Sequence, residues 1–360
     1  MVTFGIEEEY FLVDPVSLRP VSLAETVLSD LPADSSGSRD VTHEFLTSEL
    51  ELATAVYTEL DPAEADLAGC RAVIAAAARR HGALSAGTGT PFDAATPSVT
   101  DTSRYRALGS EARGLIHDHQ IGATQVHVGV PSRDAGVLAL NSLRVWLPTL
   151  MALTGNAPFW SGRDTGFSSW RAVIMRRWGT TGCPPVFADA AEYDQRLARL
   201  MGVGGTIDAA TVAWYARLSE RYPTVEVRVA DAQLDLAPTL LLAAFARALV
   251  VTGLAEADRG APAPQMEPEL LDAALWHASR DGIRGQLVNP LGRELAPAWL
   301  VTDALLRHVG DALDESGDRP RVLELLDRLW KTGTGAETQQ RAFRTGGKEG
   351  VRRLYERTFA

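Results

Sequence analysis

The run Gly5-Ile6-Glu7-Glu8-Glu9-Tyr10 sets three consecutive carboxylates inside an otherwise apolar segment, Phe4 to Val13. Phe, Ile, Tyr and Val crowd a short window that Asp14-Pro15 closes, so a strand is predicted there. Side chains alternate along a strand, which puts Glu7 and Glu9 on one face. Two carboxylates on one face repel unless a cation sits between them, and oxygen-rich pairs suit hard cations such as Mg²⁺. A solvated edge strand that uses charge against aggregation would carry the same residues. Other segments have to decide between the two.

Two of them show the same division. In Thr224-Val225-Glu226-Val227-Arg228-Val229 the polar residues alternate with valines, so Glu226 and Arg228 share a face. In Thr124 to Val130, Gln125 and His127 oppose Val126, Val128 and Val130. Each strand has a valine face for a core and a second face of ionisable groups. The segment His43 to Glu51 is also acidic and strand-like. Glu44 and Glu51 differ in parity, so a turn or bulge near Thr47-Ser48 is needed to aim both at one site. Glu49 shares parity with Glu51 and is taken as a spare surface charge. Glu8 points with Ile6 and Tyr10 to the opposite face, where parity gives it no role.

Competing motifs fail. His43-Glu44 lacks the second His of a zinc protease helix, and Gly346-Gly347-Lys348-Glu349 lacks the rest of a P-loop. Gly87-Thr88-Gly89 follows a strand without a dinucleotide fingerprint. No G-x-S-x-G elbow occurs. His117, Asp118 and His119 fit a surface helix end.

The elements that must position these residues follow from periodicity. Strands are predicted at Thr3–Val13, twice within Val41–Val56, and at Ala83–Thr88, Gln125–Val130 and Thr224–Val229. A helix opens at Asp61-Pro62 and runs to Gly82. Others are predicted at Asp134–Leu153, Ala190–Leu200, Leu236–Ala257, Pro268–Ser279, Ala298–Glu315 and Pro320–Leu329. Pro32–Arg39 and Asp258–Glu267 are short surface loops, and no strong domain boundary appears. Strands and helices do not alternate regularly, which argues against a doubly wound parallel sheet and for an antiparallel sheet with helices on one side.

The chain has 360 residues, 46% hydrophobic and 22% charged, an ordinary globular composition. Its net charge of -11 leaves no basic footprint for nucleic acid. Lysine occurs only at Lys331 and Lys348, so any phosphate contact earlier in the chain falls to Arg, backbone amides or metal. The longest apolar stretch, Leu236 to Leu254, is broken by Pro238 and Arg247, against a membrane span. Cys70 and Cys183 make no metal-binding spacing, and no basic-plus-apolar leader precedes the first strand, so a reduced cytoplasmic setting is expected.

The ordered set G-I-E-E-E-Y at 5–10, S-E-L-E-L-A-T at 48–54, Q-V-H-V-G at 125–129, D-T-G-F-S-S-W-R at 164–171, R-R-W-G-T at 176–180 and T-V-E-V-R-V-A-D at 224–231 resembles the glutamate–cysteine ligase type 2 family. These are bacterial carboxylate-amine ligases of glutamine-synthetase-like fold. The likeness runs from Val2 into the C-terminal helices, including G-T-G-A at 333–336. It implies an α+β fold: one domain over 1–360, its C-terminal helical part from about 265, with a curved antiparallel sheet and helices on the convex face. The concave face would hold ATP, two or three Mg²⁺ ions (Mn²⁺ as substitute) and an amino-acid substrate. By motif match, Glu9, Glu44 and Glu51 would hold the metal nearest the substrate carboxylate. Glu7, His127 and Glu226 would hold the metal bridging the ATP phosphates. Arg228 would contact the acceptor carboxylate or the moving phosphoryl group, with Arg171 as a second catalytic arginine. Arg177, Thr180 and Arg217 would contact the nucleotide.

The implied reaction is ATP-dependent amide formation through an acyl phosphate, from the γ-carboxylate of glutamate and an amine such as cysteine. Partners would be small amino-acid and amine substrates, without nucleic acid or membrane, and a homo-oligomer is allowed. The family's W-D-V-R-P-S is here Trp214-Tyr215-Ala216-Arg217-Leu218-Ser219, and its R-W-P-T is Arg177-Trp178-Gly179-Thr180. Both departures bear on substrate choice. The same chemistry on other substrates is the first alternative, and a non-catalytic nucleotide- or metal-binding relative the second.

Overall fold

A computed structural model of the chain describes residues 1–32 and 40–358. Its main sheet has seven strands: β1 (Phe4–Val13), β2 (Asp40–His43), β3 (Glu49–Ala53), β4 (Leu84–Ala86), β5 (Ala123–Gly129), β8 (Ala216–Leu218) and β9 (Thr224–Asp231). Two hairpins stand apart, β6 (Phe159–Trp160) with β7 (Arg163–Asp164), and β10 (Gln286–Val288) with β11 (Leu295–Pro297). The main order is β2-β3-β1-β5-β9-β8, β4 pairs with Phe11–Val13 of β1, and every pairing is antiparallel. The α+β architecture expected from the irregular element order is therefore present.

Alternation decides which face packs. Ile6, Leu50, Leu52, Val126, Val128, Val225, Val227 and Val229 are buried in one core cluster under the helices Leu60–Arg80, Arg133–Leu143 and Leu236–Asp258. Each such side chain contributes about 1.5–3 kcal/mol on burial. The opposite face is the floor of a cleft. Beyond its end, Phe11 and Val13 pack with Phe92, Phe159 and Tyr355 in a second cluster against the C-terminal helix Gly335–Thr358.

Glu8 has a partner that parity could not foresee. It is buried on the helix side, where Arg71 Nε and Nη2 donate to it at 2.9 and 2.5 Å, Thr239 Oγ1 donates at 2.7 Å, and the Tyr10 hydroxyl adds a further bond. Burial pushes its carboxyl up, but Arg71 and these hydrogen bonds outweigh that and hold it below the usual range. The pair ties the sheet to the helix Leu60–Arg80.

The expected helix Asp134–Leu153 is broken. It runs Arg133–Leu143, then a 3₁₀ turn Arg144–Trp146, then Leu147–Leu153, because Pro148 removes a backbone donor. The expected Ala298–Glu315 helix likewise divides into Ala298–His308 and Gly310–Ser316. The loop expected at Pro32–Arg39 lies, from residue 33, outside the described residues. By length and composition the segments Arg133–Leu153 and Leu236–Asp258 are apolar enough to cross a membrane, but here 94% and 72% of their apolar windows are buried inside the fold. Arg247 in the second is paired with Asp318 and the Thr58 carbonyl.

Candidate active site

Register lays the ionisable side chains across the sheet in a fixed sequence. Glu9 faces Glu51 across β1 and β3, Glu7 faces Gln125 across β1 and β5, His127 faces Glu226 across β5 and β9, and Glu226 faces Arg217 across β9 and β8. All of them line one cleft of about 460 Å³, a volume within the range of small-ligand sites. Parity placed Glu7 with Glu9 and Glu226 with Arg228, and both pairs do share the cleft.

The β2–β3 connection is a turn at Thr47–Ser48, which brings Glu44 and Glu51 to the same cleft despite their opposite parity. This end is acidic. Glu9 accepts from the Ala123 amide at 2.7 Å and from Gln125 Nε2 at 3.1 Å. Burial and the neighbouring Glu44 push its carboxyl up to about 8, against the pull of Arg171 and Arg228. Glu44 accepts from the Tyr105 hydroxyl at 3.3 Å, and burial raises it too. Glu51 is raised by burial and by Glu44, Glu7 and Glu9. Glu49 is no surface charge: it is 3% exposed, lines the cleft, and its Oε1 has no hydrogen-bond partner among the described residues.

The other end is cationic. Arg217 donates from Nε to Glu226 Oε2 at 2.9 Å and from Nη2 to Oε1 at 3.1 Å, while Arg228 Nη1 donates to Oε1 at 3.0 Å. Burial would raise the Glu226 carboxyl, but Arg228, Arg217 and His127 bring it down to about 2. Among the described residues no other protein acceptor engages Arg228, so the rest of its guanidinium faces the cleft. His127 Nδ1 lies 2.9 Å from Thr224 Oγ1, and its Nε2 lies 3.3 Å from Glu7 Oε1 without an aligned hydrogen bond. Burial lowers its pKa, yet Glu7 and Glu226 raise it overall.

A β-bulge supports this end. Between the Thr124–Ala230 and Val126–Val227 pairs, β9 carries one extra residue. Beyond the bulge Asp231 comes to face Ala123. Buried Arg171 braces the bulge, donating to the Val229 and Arg228 carbonyls at 3.4 and 3.2 Å, and lies 3.9 Å from Asp231. Asp231 accepts from the Asn156 amide at 2.7 Å and from Ser169 Oγ at 2.8 Å. A Cβ on Gly89 would sit 2.6 Å from the Asp231 carboxyl carbon. The glycine after Thr88 thus admits an aspartate, with no bearing on a dinucleotide.

Of the residues assigned by resemblance, Glu7, Glu9, Glu44, Glu51, His127, Arg171, Arg217, Glu226 and Arg228 meet in the cleft. Arg177 and Thr180 do not line it. Arg177 pairs with Asp118 at 2.7 Å near the surface, and Thr180 Oγ1 accepts from the Ala213 amide at 3.0 Å. Parity missed Arg104 and Tyr105, which reach the cleft from the first turn of the helix Ser103–Ala112, and Trp178, which reaches it from irregular chain. His119 caps the 3₁₀ turn Arg113–Asp118, the helix end expected, with His117 and Asp118 exposed, but its own ring turns inward. It lines the cleft, accepts from Trp178 Nε1 at 3.1 Å, and burial with Arg171 and Arg177 lowers it to about 4.

Among the described residues no three His, Cys, Asp or Glu side chains are set as a preformed metal site. Their chemistry nonetheless fits a hard divalent cation: oxygen donors and one imidazole, with Glu44 raising Glu9, and Glu44, Glu7 and Glu9 raising Glu51, on top of burial. Glu226 is already held by two arginines and would have to share or exchange them.

Residues 3–357 match the profile of the family described as glutamate–cysteine ligase family 2. A protein of Saccharopolyspora erythraea provisionally named glutamate–cysteine ligase 2-2 is 39% identical over 353 residues, 97% of this chain and 90% of its own. In fold, the chain resembles a glutamate–cysteine ligase from Francisella tularensis solved in complex with AMP: TM-score 0.70, 14% identity, 99% of this chain and 88% of that one. It also resembles a bifunctional glutathione synthetase from Pasteurella multocida: TM-score 0.71, 13% identity, 99% of this chain and 51% of that one.

Proposed function

The chain belongs to glutamate–cysteine ligase family 2, and from that membership we propose that it is an ATP-dependent carboxylate–amine ligase. The substrates that fit this reading best are glutamate, activated at its γ-carboxylate, and cysteine. The observation that carries it is the division of one cleft into an end of crowded, buried carboxylates and an arginine end with donors to spare.

A carboxylate oxygen is a poor leaving group, so the amide requires activation. Transfer of the γ-phosphoryl group from ATP gives an acyl phosphate, and the amine displaces phosphate from it. Such transfer depends mainly on positioning and charge neutralisation. Two or three Mg²⁺ ions, or Mn²⁺ in their place, would be held by Glu9, Glu44 and Glu51 and by Glu7, His127 and Glu226, and would neutralise phosphate charge. Arg228 turns its free guanidinium edge to the carboxylate or the moving phosphoryl group. Arg171 fixes the backbone that carries Arg228. Arg217 holds Glu226 in place from across β8 and β9. With no lysine before Lys331, arginines and backbone amides carry the protein's share of phosphate binding.

The test is a phosphate-release screen of amino acids with Mg²⁺ and ATP, with and without candidate amines. Release with glutamate that rises on adding cysteine is the expected result. Release restricted to another acid or amine would keep the chemistry and replace the substrates, and no release with any pair would leave a nucleotide-binding relative.

A further inference from the structure

Glu49 is a cleft carboxylate that the metal sets and the arginine clamp both leave out. It sits on β3 opposite Phe11, one same-face step beyond the facing pair Glu9 and Glu51. It is almost completely buried, lines the cleft that Phe45, His119 and Ile121 also line, and leaves Oε1 without a donor among the described residues. Arg228 acts on Glu9 and Glu51, but among the described residues the charged groups that act on Glu49 are Glu9 and Glu44. A buried carboxylate oxygen with no donor costs stability, and glutamine would fill the same space without the charge. Folding therefore gives no reason for the carboxylate.

The surroundings define what would pair with it. A hard divalent cation needs about six ligands, mostly oxygens, and the cleft that Glu49 lines also carries the packed rings of Phe45 and His119, 6.1 Å apart. His119 accepts from Trp178 and is held neutral, so it supplies no counter-charge. An ammonium group suits such a place: it brings a full positive charge and three donors to a carboxylate that lacks both, and it tolerates aromatic neighbours. Two residues along a strand span about 7 Å, comparable to the distance between the two ends of an extended glutamate.

We propose that Glu49 receives the ammonium group of the amino-acid substrate whose far carboxylate lies at the Glu9–Glu51 pair. It is then the residue that selects an α-amino acid over a plain dicarboxylic acid. This rests on the ligase reading, and two measurements keep them apart.

Binding of glutamate and of glutarate, which lacks the ammonium, is measured by calorimetry with Mg²⁺ and a non-hydrolysable ATP analogue, on wild type, Glu49→Gln and Glu49→Asp. Wild type is expected to prefer glutamate, and Glu49→Gln to shrink that preference by about tenfold to a hundredfold, the range for one charged hydrogen bond. Glu49→Asp is expected to keep part of it, with thermal melting confirming that both variants fold. Equal loss of glutamate and glutarate binding, or an unchanged preference, overturns the assignment of Glu49. Phosphate release is followed in parallel: its absence with preferential glutamate binding counts against the ligase reading and leaves the ammonium site standing.

Discussion

Arg217 holds both carboxylate oxygens of Glu226 from the register position directly opposite, at 2.9 and 3.1 Å. The planar fork of arginine matches a carboxylate and lysine does not. Arg217→Lys is expected to lower stability by about 1–3 kcal/mol in the metal-free protein. If Glu226 passes to a metal ion on loading, Mg²⁺ with ATP narrows the gap between variant and wild type. Melting curves with and without Mg²⁺ and ATP read this directly; a gap that stays constant keeps Glu226 in the clamp.

Arg228 shares Glu226 but leaves most of its guanidinium toward the cleft. Arg228→Lys is expected to reduce turnover at least tenfold while melting changes little, since the valines beside it build the core. The check is phosphate release and melting temperature on the same preparation. A loss of activity that only tracks a loss of melting temperature would make Arg228 a static bridge.

Removing divalent cations exposes the repulsion at the acidic end. Glu9 titrates near 8 in the folded protein, above its ordinary value of 4.5. The folded state binds that proton more tightly than the unfolded chain, so the contribution is complete below pH 4.5 and lost as pH rises through 8. In EDTA the melting temperature is expected to carry a downward slope across that window, and Mg²⁺ or Mn²⁺ to flatten it. Glu9→Gln reduces it without metal, leaving the share of Glu44, Glu49 and Glu51, which burial also raises. A slope indifferent to both metal and mutation assigns it to other groups.

The Glu8–Arg71 pair is the matching case on the helix side. Removing one partner of a buried ion pair costs about 3–5 kcal/mol, so Glu8→Gln is expected to melt well below wild type. Because the folded value is depressed, the pair's contribution is present above pH 4.5 and disappears as pH falls below it. Acid titration of melting temperature should show a steeper loss in wild type than in Glu8→Gln.

The alternation of valine with Glu, Arg and His made the sheet's two faces legible before any coordinates, because strand periodicity depends on local sequence alone. Glu49 was legible in parity but not in burial, since nothing local says that tertiary packing leaves it 3% exposed. Asp231 escaped because a bulge adds a residue and reverses the count. His119 and Tyr105 lie outside regular strands, where no periodicity points to the cleft. Arg71, in an alanine-rich helix, finds Glu8 only through tertiary packing.

The position of β1 between β3 and β5 also fixes an order of assembly. β1 and β3 are close in sequence, so their loop closes early and brings Glu9 against Glu51. Arg228, one of the guanidiniums that offset them, arrives only when distant β9 docks on β5. A chain refolding from denaturant is therefore expected to assemble its acidic half before its cationic half. Divalent cations in the refolding buffer are expected to speed that stage, a kinetic effect separate from any gain in final stability.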